Sequence, residues 1–486
     1  MSRGTVESGV ESRPIGLDAL ESQVRRDLEL TRHPQAAWMP ERPGPGGAHL
    51  YDVVVAGAGQ GGLVTAFQLQ RECVPNILVI DKAPYGGEGV WVTYARMPTL
   101  RTPKDYNGPD LRIPCLTYQA WHEARFGAAA WEALDFIPKE LWAEYLLWYR
   151  RVLGLPVRND CALVGIAPDD GCLRLTVETA DGPEQLFARK LVLATGQEGL
   201  GRWWLPDFVE ALPRHLRAAT ADDIDFPALQ GKVVAVLGAG ASAADNAACA
   251  LEAGAASVHM FVRREVMQRI QPYRWLTFPG FLRHLADLPD EWRWRFMNHI
   301  LSMRESFHQP TYDRLRRHEN FEIHVGAGWK GAATDGERVV IDTAKGPFPA
   351  DFLICGTGID IEPGMKPELA AFADHILTWS DRYTPPADEQ NPRLARYPYH
   401  GADGELLERE PGRAPFLKDI HDFTIATTMS FGPSGCSINA MNIAVPRLVA
   451  GLTRGLFHAD LDHHWQSLQA YDTPIFEPAE IDRDKV

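Results

Sequence analysis

Cysteine is scarce and unpatterned in this chain. Seven occur among 486 residues, Cys73, Cys115, Cys161, Cys172, Cys249, Cys355 and Cys436, and no two stand at C-x-x-C spacing. That excludes a redox dithiol and a zinc knuckle, and it removes the disulfide framework of a small secreted domain. Positive charge is short as well. Lys and Arg number 49 against 64 Asp and Glu, a net charge of −15. A nucleic-acid surface, which needs clustered cations to displace phosphate counterions, is not expected. No run of about 20 apolar residues is free of charge and glycine breaks, so no membrane span is expected either. The opening "MSRGTVESGVESRPIG" lacks the basic-then-apolar order of a secretory leader, and the expected location is the cytoplasm. Histidine is not short, at 16, but "DHH" at 462–464 stands in a polar tail without supporting ligands, and no metal is expected.

What the sequence does have is two glycine turns of one design. The chain is long for a single core, so two domains, or one with a large insertion, is the prior. In "YDVVVAGAGQGG" an apolar strand runs into Gly57, Gly59 and Gly62, a helix pattern follows, and a second strand "ILVI" ends at Asp81. The first glycine permits the tight turn, the second lets backbone approach a pyrophosphate, and the third lets helix and strand pack closely. The helix N-terminus offers unpaired N–H groups to an anion, and Asp81 lies where a carboxylate accepts both ribose hydroxyls. Gln60 and Lys82 complete the candidate set at this turn.

The second unit, "VVAVLGAGASAADNAACALEAGAASVHMFVRR", has Gly238, Gly240 and Ala243, a G-x-G-x-x-A variant. Arg263 and Arg264 stand where the acid would be. Guanidinium groups there suit the 2′-phosphate of NADP, which a carboxylate would repel; the plainer alternative is an arginine capping a strand end in solvent. FAD at the first turn and NADPH at the second is the simplest assignment.

The expected fold is therefore α/β, with two Rossmann-like dinucleotide-binding domains, the second inserted in the first. Residues 49–205 and 351–486 form the FAD part and residues 206–350 the NADPH part. Residues 1–48 read as an extension docked by one helix, with Leu17, Leu20, Val24 and Leu28 on one face. Residues 155–195 alternate apolar and polar around turns, as antiparallel strands do.

The order of these motifs, with "ATG" at 194–196 and "GTG" at 356–358, resembles the single-component class B flavoprotein monooxygenases. That group comprises flavin-containing monooxygenases, Baeyer–Villiger enzymes and amine N-hydroxylases. The resemblance implies NADPH reducing FAD, and O₂ reacting to give a C4a-hydroperoxyflavin that oxidises a small molecule. It further implies Ser242 near the NADPH pyrophosphate, and Trp91 of "GGEGVW", Met97 and Gly358 near the flavin. Lys104 of "YARMPTLRTPKD" falls near substrate, with Arg101 suited to a substrate carboxylate. Asn439 and Asn442 of "FGPSGCSINAMN" are hydrogen-bond donors for the ring or substrate, although helix capping by Ser437 or Asn439 is the simpler reading.

The phenylalanine–glycine–histidine fingerprint of flavin-containing and Baeyer–Villiger enzymes is broken, with Glu210 near its glycine position and His215 one residue late, a linker histidine. Hydroxylation of an amine, amino acid or electron-rich heterocycle is thus expected ahead of Baeyer–Villiger insertion. The rivals are an NADPH-dependent flavin oxidoreductase without oxygen transfer and a flavin-binding sensor. The aromatic stretch 272–300, with Trp275, Phe278, Phe281, Trp292, Trp294 and Phe296, is expected to pack the two domains together, or else to act as a lid. Substrate and O₂ are the expected partners, and self-association into a homo-oligomer is open.

Overall fold

The computed structural model describes residues 15–32, 38–433 and 437–476. Cys436 and part of the "FGPSGCSINAMN" loop lie outside these. The first sheet is built around the strand β1 (Leu50–Ala56), which pairs in parallel with β2 (Ile77–Ile80) on one side and with Gly182–Leu193 on the other. The latter strand is long enough to serve two purposes. Its second half lies in the parallel sheet, while its first half pairs antiparallel with Cys172–Thr179, which pairs antiparallel with Cys161–Asp169. The alternation in 155–195 corresponds to this meander. Ile420–Asp422 returns from far along the chain to pair in parallel with the end of Gly182–Leu193.

The second sheet is wholly parallel, in the order Phe321–His324, Ser257–Phe261, Val233–Leu237, Phe352–Cys355, Arg217–Ala219. Its central strands Val233–Leu237 and Phe352–Cys355 are short apolar runs, as a parallel sheet requires, while the edge strand Phe321–His324 carries polar residues with Glu322 exposed. The Phe352–Cys355 strand belongs here, hydrogen-bonded beside Val233–Leu237. A boundary at 350/351 therefore falls one strand early: a buried apolar strand before a glycine turn reads the same in either Rossmann-like unit.

The helix α1 (Leu17–Leu30) buries Leu20 and Val24 in the core under the first sheet, with Leu17 and Leu28 packed beside them. The 272–300 stretch forms helices Pro272–Trp275, Pro279–His284 and Asp290–Met303. Phe281, Trp294, Met297 and Ile300 enter the same core as Ala56, Leu191 and Leu193 of the first sheet. Trp275, Phe278 and Trp292 stay exposed. No helix among the described residues is long and apolar enough to cross a membrane.

Candidate active site

The two glycine turns are built alike. Gly57 has φ 110°, and a Cβ there would lie 2.4 Å from the Ala194 carbonyl oxygen; Gly238 has φ 124°, and a Cβ there would lie 2.5 Å from the Gly356 oxygen. Each turn is thus pressed against the end of the next strand, the "ATG" end in the first unit and the "GTG" end in the second. The third position differs. A Cβ on Gly62 would meet the Gly57 oxygen at 1.8 Å, so only glycine fits. Ala243 is accommodated because Gly356 opposite it has no side chain; a Cβ on Gly356 would stand 2.5 Å from that of Ala243. The alanine in the variant motif is matched by a glycine more than a hundred residues later.

Both helices that follow, α2 (Gln60–Arg71) and Ala241–Glu252, begin at a glycine that makes no side-chain cap. Their first N–H groups are left for a ligand, and the cradle fits a dinucleotide pyrophosphate. Asp81 is buried and accepts the Ala58 N–H at 2.6 Å and the Ala83 N–H at 2.8 Å. Burial pushes its carboxyl above the usual range, against the pull of the two N–H groups. The Gly86–Trp91 segment meets the turn directly: a Cβ on Gly59 would be 3.6 Å from Gly89 Cα. Trp91 is buried edge-on to Trp142, whose indole N–H donates to Gln60 Oε1 at 3.3 Å. Lys82 is exposed beside Asp81.

Two of the substrate candidates, Lys104 and Arg101, are engaged by other parts of the chain. Lys104 Nζ donates to the carbonyls of Trp131 at 2.7 Å and Glu132 at 3.4 Å, and lies 4.8 Å from the Trp131 ring centroid. It closes the C-terminal end of a short helix, Ala128–Glu132. Arg101 pairs with Asp245 of the second dinucleotide helix, and Asp245 Oδ1 also accepts the Thr311 hydroxyl at 3.1 Å. Met97 and Arg101 line a pocket between the domains with Phe136, His308, Thr311 and Arg314. Burial, then the charge of Arg101, lowers the His308 pKa.

Ser437 donates to Asn439 Oδ1 at 2.6 Å, and neither side chain caps the helix Met441–Ala459. Asn442 Oδ1 is buried without a partner among the described residues. A Cβ on Gly108 would lie 2.0 Å from the Ile438 oxygen, so the loop after Lys104 is brought against this asparagine loop. His215 is an exposed linker residue, 3.3 Å from the Gly336 oxygen.

At the second turn Ser242 is exposed in the first helical turn, and Arg263 is exposed at the strand end. Arg264 is occupied: its guanidinium donates to Ser302 O at 2.6 Å and Met303 O at 3.0 Å, closing the helix Asp290–Met303. Gly358 belongs with this second turn rather than the first, and a Cβ there would be 3.5 Å from both Arg304 Nη1 and Arg393 Nη2. Arg304 escaped the sequence reading. It has φ 67°, and no hydrogen bond or carboxylate engages its guanidinium among the described residues. Arg304 is exposed to solvent on one side; partial desolvation by its surroundings, then the charges of Arg393 and Arg263 among its neighbours, lowers its pKa from the usual arginine range. An unpaired cation there suits a phosphate. Only the break from helix to positive φ at Arg304 marks it, and the sequence does not reveal that break.

Comparison with known proteins agrees with this geometry. Residues 51–372 match the model of the pyridine nucleotide-disulphide oxidoreductase family. The six described cysteines are all free. An FAD-dependent urate hydroxylase of Xanthomonas campestris pv. campestris is 42% identical over 465 residues, 95% of this chain and 98% of the relative. An FAD-containing monooxygenase, EthA, of Mycolicibacterium smegmatis is 24% identical over 50% of this chain and 48% of its own length. Among solved structures, the ornithine N-hydroxylase KtzI of Kutzneria sp. 744 superposes with a TM-score of 0.65 at 17% identity, covering 84% of this chain and 99% of that one. The flavin monooxygenase of Stenotrophomonas maltophilia gives 0.53 at 17%, over 84% and 99%. The chain belongs to the pyridine nucleotide-disulphide oxidoreductase family, in its branch of class B flavoprotein monooxygenases.

Proposed function

We propose that this chain is an FAD- and NADPH-dependent monooxygenase that hydroxylates urate or a closely similar oxidised purine in the cytoplasm. The observation that carries the reading is the end-to-end 42% identity to a urate hydroxylase. It agrees with two dinucleotide turns that differ in the charge at their second strand ends. Bound FAD, reduced by NADPH, supplies the activated oxygen.

The chain's own residues hold and screen. The Gly57–Gly62 turn and the α2 N-terminus receive one pyrophosphate, and Asp81 accepts the ribose hydroxyls. Trp91 and Met97 wall the flavin. Ser242 and the Ala241–Glu252 N-terminus receive the second pyrophosphate, and Arg263 and Arg304 the remaining phosphate charge. Asn442 offers a carbonyl oxygen, unpaired among the described residues, to a ring N–H, with Asn439 beside it.

The engagement of Arg101 and Lys104 argues against an amino-acid substrate, because neither cation is free for its carboxylate. A flat heterocycle needs no such partner. The deciding experiment is NADPH oxidation with urate, ornithine or a cyclic ketone added. Urate should stimulate it and be consumed one for one with NADPH. NADPH turnover that yields hydrogen peroxide alone with every substrate would place the protein among the flavin oxidases instead.

A further inference from the structure

The sheet that carries the second dinucleotide turn has another feature on its opposite face. His259 lies on Ser257–Phe261, and Glu322 and His324 lie on the edge strand Phe321–His324. The parallel register sets His259 against Glu322 and Phe261 against His324. Alternate residues of a strand share a face, so all four side chains project together. Val258 and Met260 point the other way, into the core with the Ala241–Glu252 helix. The two imidazoles and the carboxylate are therefore on the face turned away from that helix.

His259 Nδ1 is 3.0 Å from His324 Nε2. Glu322 Oε2 is 3.6 Å from His259 Nδ1, and its Oε1 is 3.7 Å from His324 Nδ1. One ligand atom from each residue falls within 4.8 Å of the others. Two imidazole nitrogens bound to one ion at about 2.0–2.1 Å each stand about 2.9–3.4 Å apart, depending on the angle at the metal. The observed nitrogen separation already meets that. The far nitrogen of His259 is also positioned, since Nε2 lies 3.0 Å from Ser257 Oγ. With Nε2 donating to that hydroxyl, Nδ1 is the lone-pair side of the ring, which is how metal-binding histidines are commonly oriented. Phe348 and Phe261 pack against the two rings and hold their planes.

We infer that His259, His324 and Glu322 form a binding site for one divalent transition-metal ion of the zinc class, with the remaining positions open to water. Two imidazoles and one carboxylate suit such an ion better than magnesium or calcium, which prefer oxygen ligands. Spacing in the sequence does not reveal the site, because the two histidines are 65 residues apart and meet only through strand pairing. A bound ion would join the edge strand to its neighbour, and the loop beyond that strand packs Gly328 on Arg263.

The test uses the full-length flavin-loaded protein, free of any histidine tag and stripped with a chelator. Titration calorimetry with Zn²⁺ should give one site per chain. Substituting either histidine by alanine should weaken binding about 100-fold, and Glu322→Gln about 10-fold. Zn²⁺ should raise the melting temperature of the unmodified protein but not of the histidine variants, whose flavin spectra report that they are folded. Should a histidine variant fail to load flavin, His324→Gln and Glu322→Gln carry the comparison. No Zn²⁺ binding by the unmodified protein, or binding that persists in the variants, would reduce the pair to an ordinary imidazole–imidazole hydrogen bond and overturn the inference.

Discussion

The guanidinium of Arg101 is paired with the carboxylate of Asp245, and this contact joins the loop beyond the first dinucleotide turn to the helix that opens the second. Asp245 is 1% exposed and Arg101 Nε is buried without a partner among the described residues, so the pair is sequestered at the domain contact. Breaking such a pair leaves an uncompensated charge. Arg101→Ala should cost about 3 kcal/mol of stability in urea denaturation. It should also slow anaerobic reduction of the flavin by NADPH about tenfold, because the nicotinamide would be held less well against the flavin. A variant with unchanged stability and only a raised substrate KM would return Arg101 to the substrate role expected from sequence.

Asp81 accepts two backbone N–H groups across the first turn and is the residue proposed to hold the FAD ribose. Asp81→Ala should purify largely colourless, with FAD affinity reduced about 100-fold, since a lost charge-assisted hydrogen bond is worth about 1.5–3 kcal/mol. Retention of full flavin content would place the adenosine elsewhere.

The second strand end separates two arginines that look equivalent in sequence. Arg263 is exposed at the strand end, whereas Arg264 closes a helix terminus. Arg263→Ala and Arg304→Gln should each raise the Kd for NADP⁺ about 10- to 100-fold, read by binding titration without turnover. Arg263→Ala should leave NAD⁺ affinity nearly unchanged. Arg264→Ala should lower the melting temperature more than it lowers affinity. Loss of NADP⁺ binding in Arg264→Ala with full stability would reverse the two roles.

Lys104 is held by two main-chain carbonyls and the face of Trp131. Lys104→Met, which keeps the apolar stem, should cost about 1–2 kcal/mol of stability and leave substrate KM within about twofold. A large rise in KM at unchanged stability would restore the substrate contact.

The legible parts of this site are those in which backbone chemistry dictates residue type. Gly57, Gly62 and Gly238 are required by positive φ or by contact with a neighbouring carbonyl, and they stand out in any single sequence. Asp81 follows from strand length. The features that stayed hidden depend on tertiary partners. Arg101 and Lys104 look like free cations until Asp245 and the Trp131 carbonyl, 144 and 27 residues away, are seen to engage them. Arg304 carries no local mark, and Gly358 reads equally well at either turn. The aromatic stretch 272–300 reads from composition as a bridge between the domains, but its buried members Phe281 and Trp294 join the core of the first sheet and Trp275, Phe278 and Trp292 stay exposed.

His421 offers a test through pH. It is fully enclosed on the Ile420–Asp422 strand beside the first sheet, its Nδ1 has no partner among the described residues, and Lys190 is nearby. Burial first, and then the lysine charge, lowers its pKa to about 3. The folded protein thus keeps this ring neutral where the unfolded chain, with a histidine pKa of about 6.5, binds a proton. Above about pH 6.5 neither state is protonated and stability is unaffected. As pH falls from there toward 3 the unfolded state is favoured by about 1.4 kcal/mol per unit. Urea stability measured at about pH 7.5 and pH 5.5 should therefore fall further for the unmodified protein than for His421→Gln, by about 1 kcal/mol. The difference between the two pH values, rather than the stability at either one, isolates the titration from any packing defect in the variant. Equal falls in the two proteins would mean that the ring takes up its proton without unfolding, and that the enclosure is looser than its burial implies.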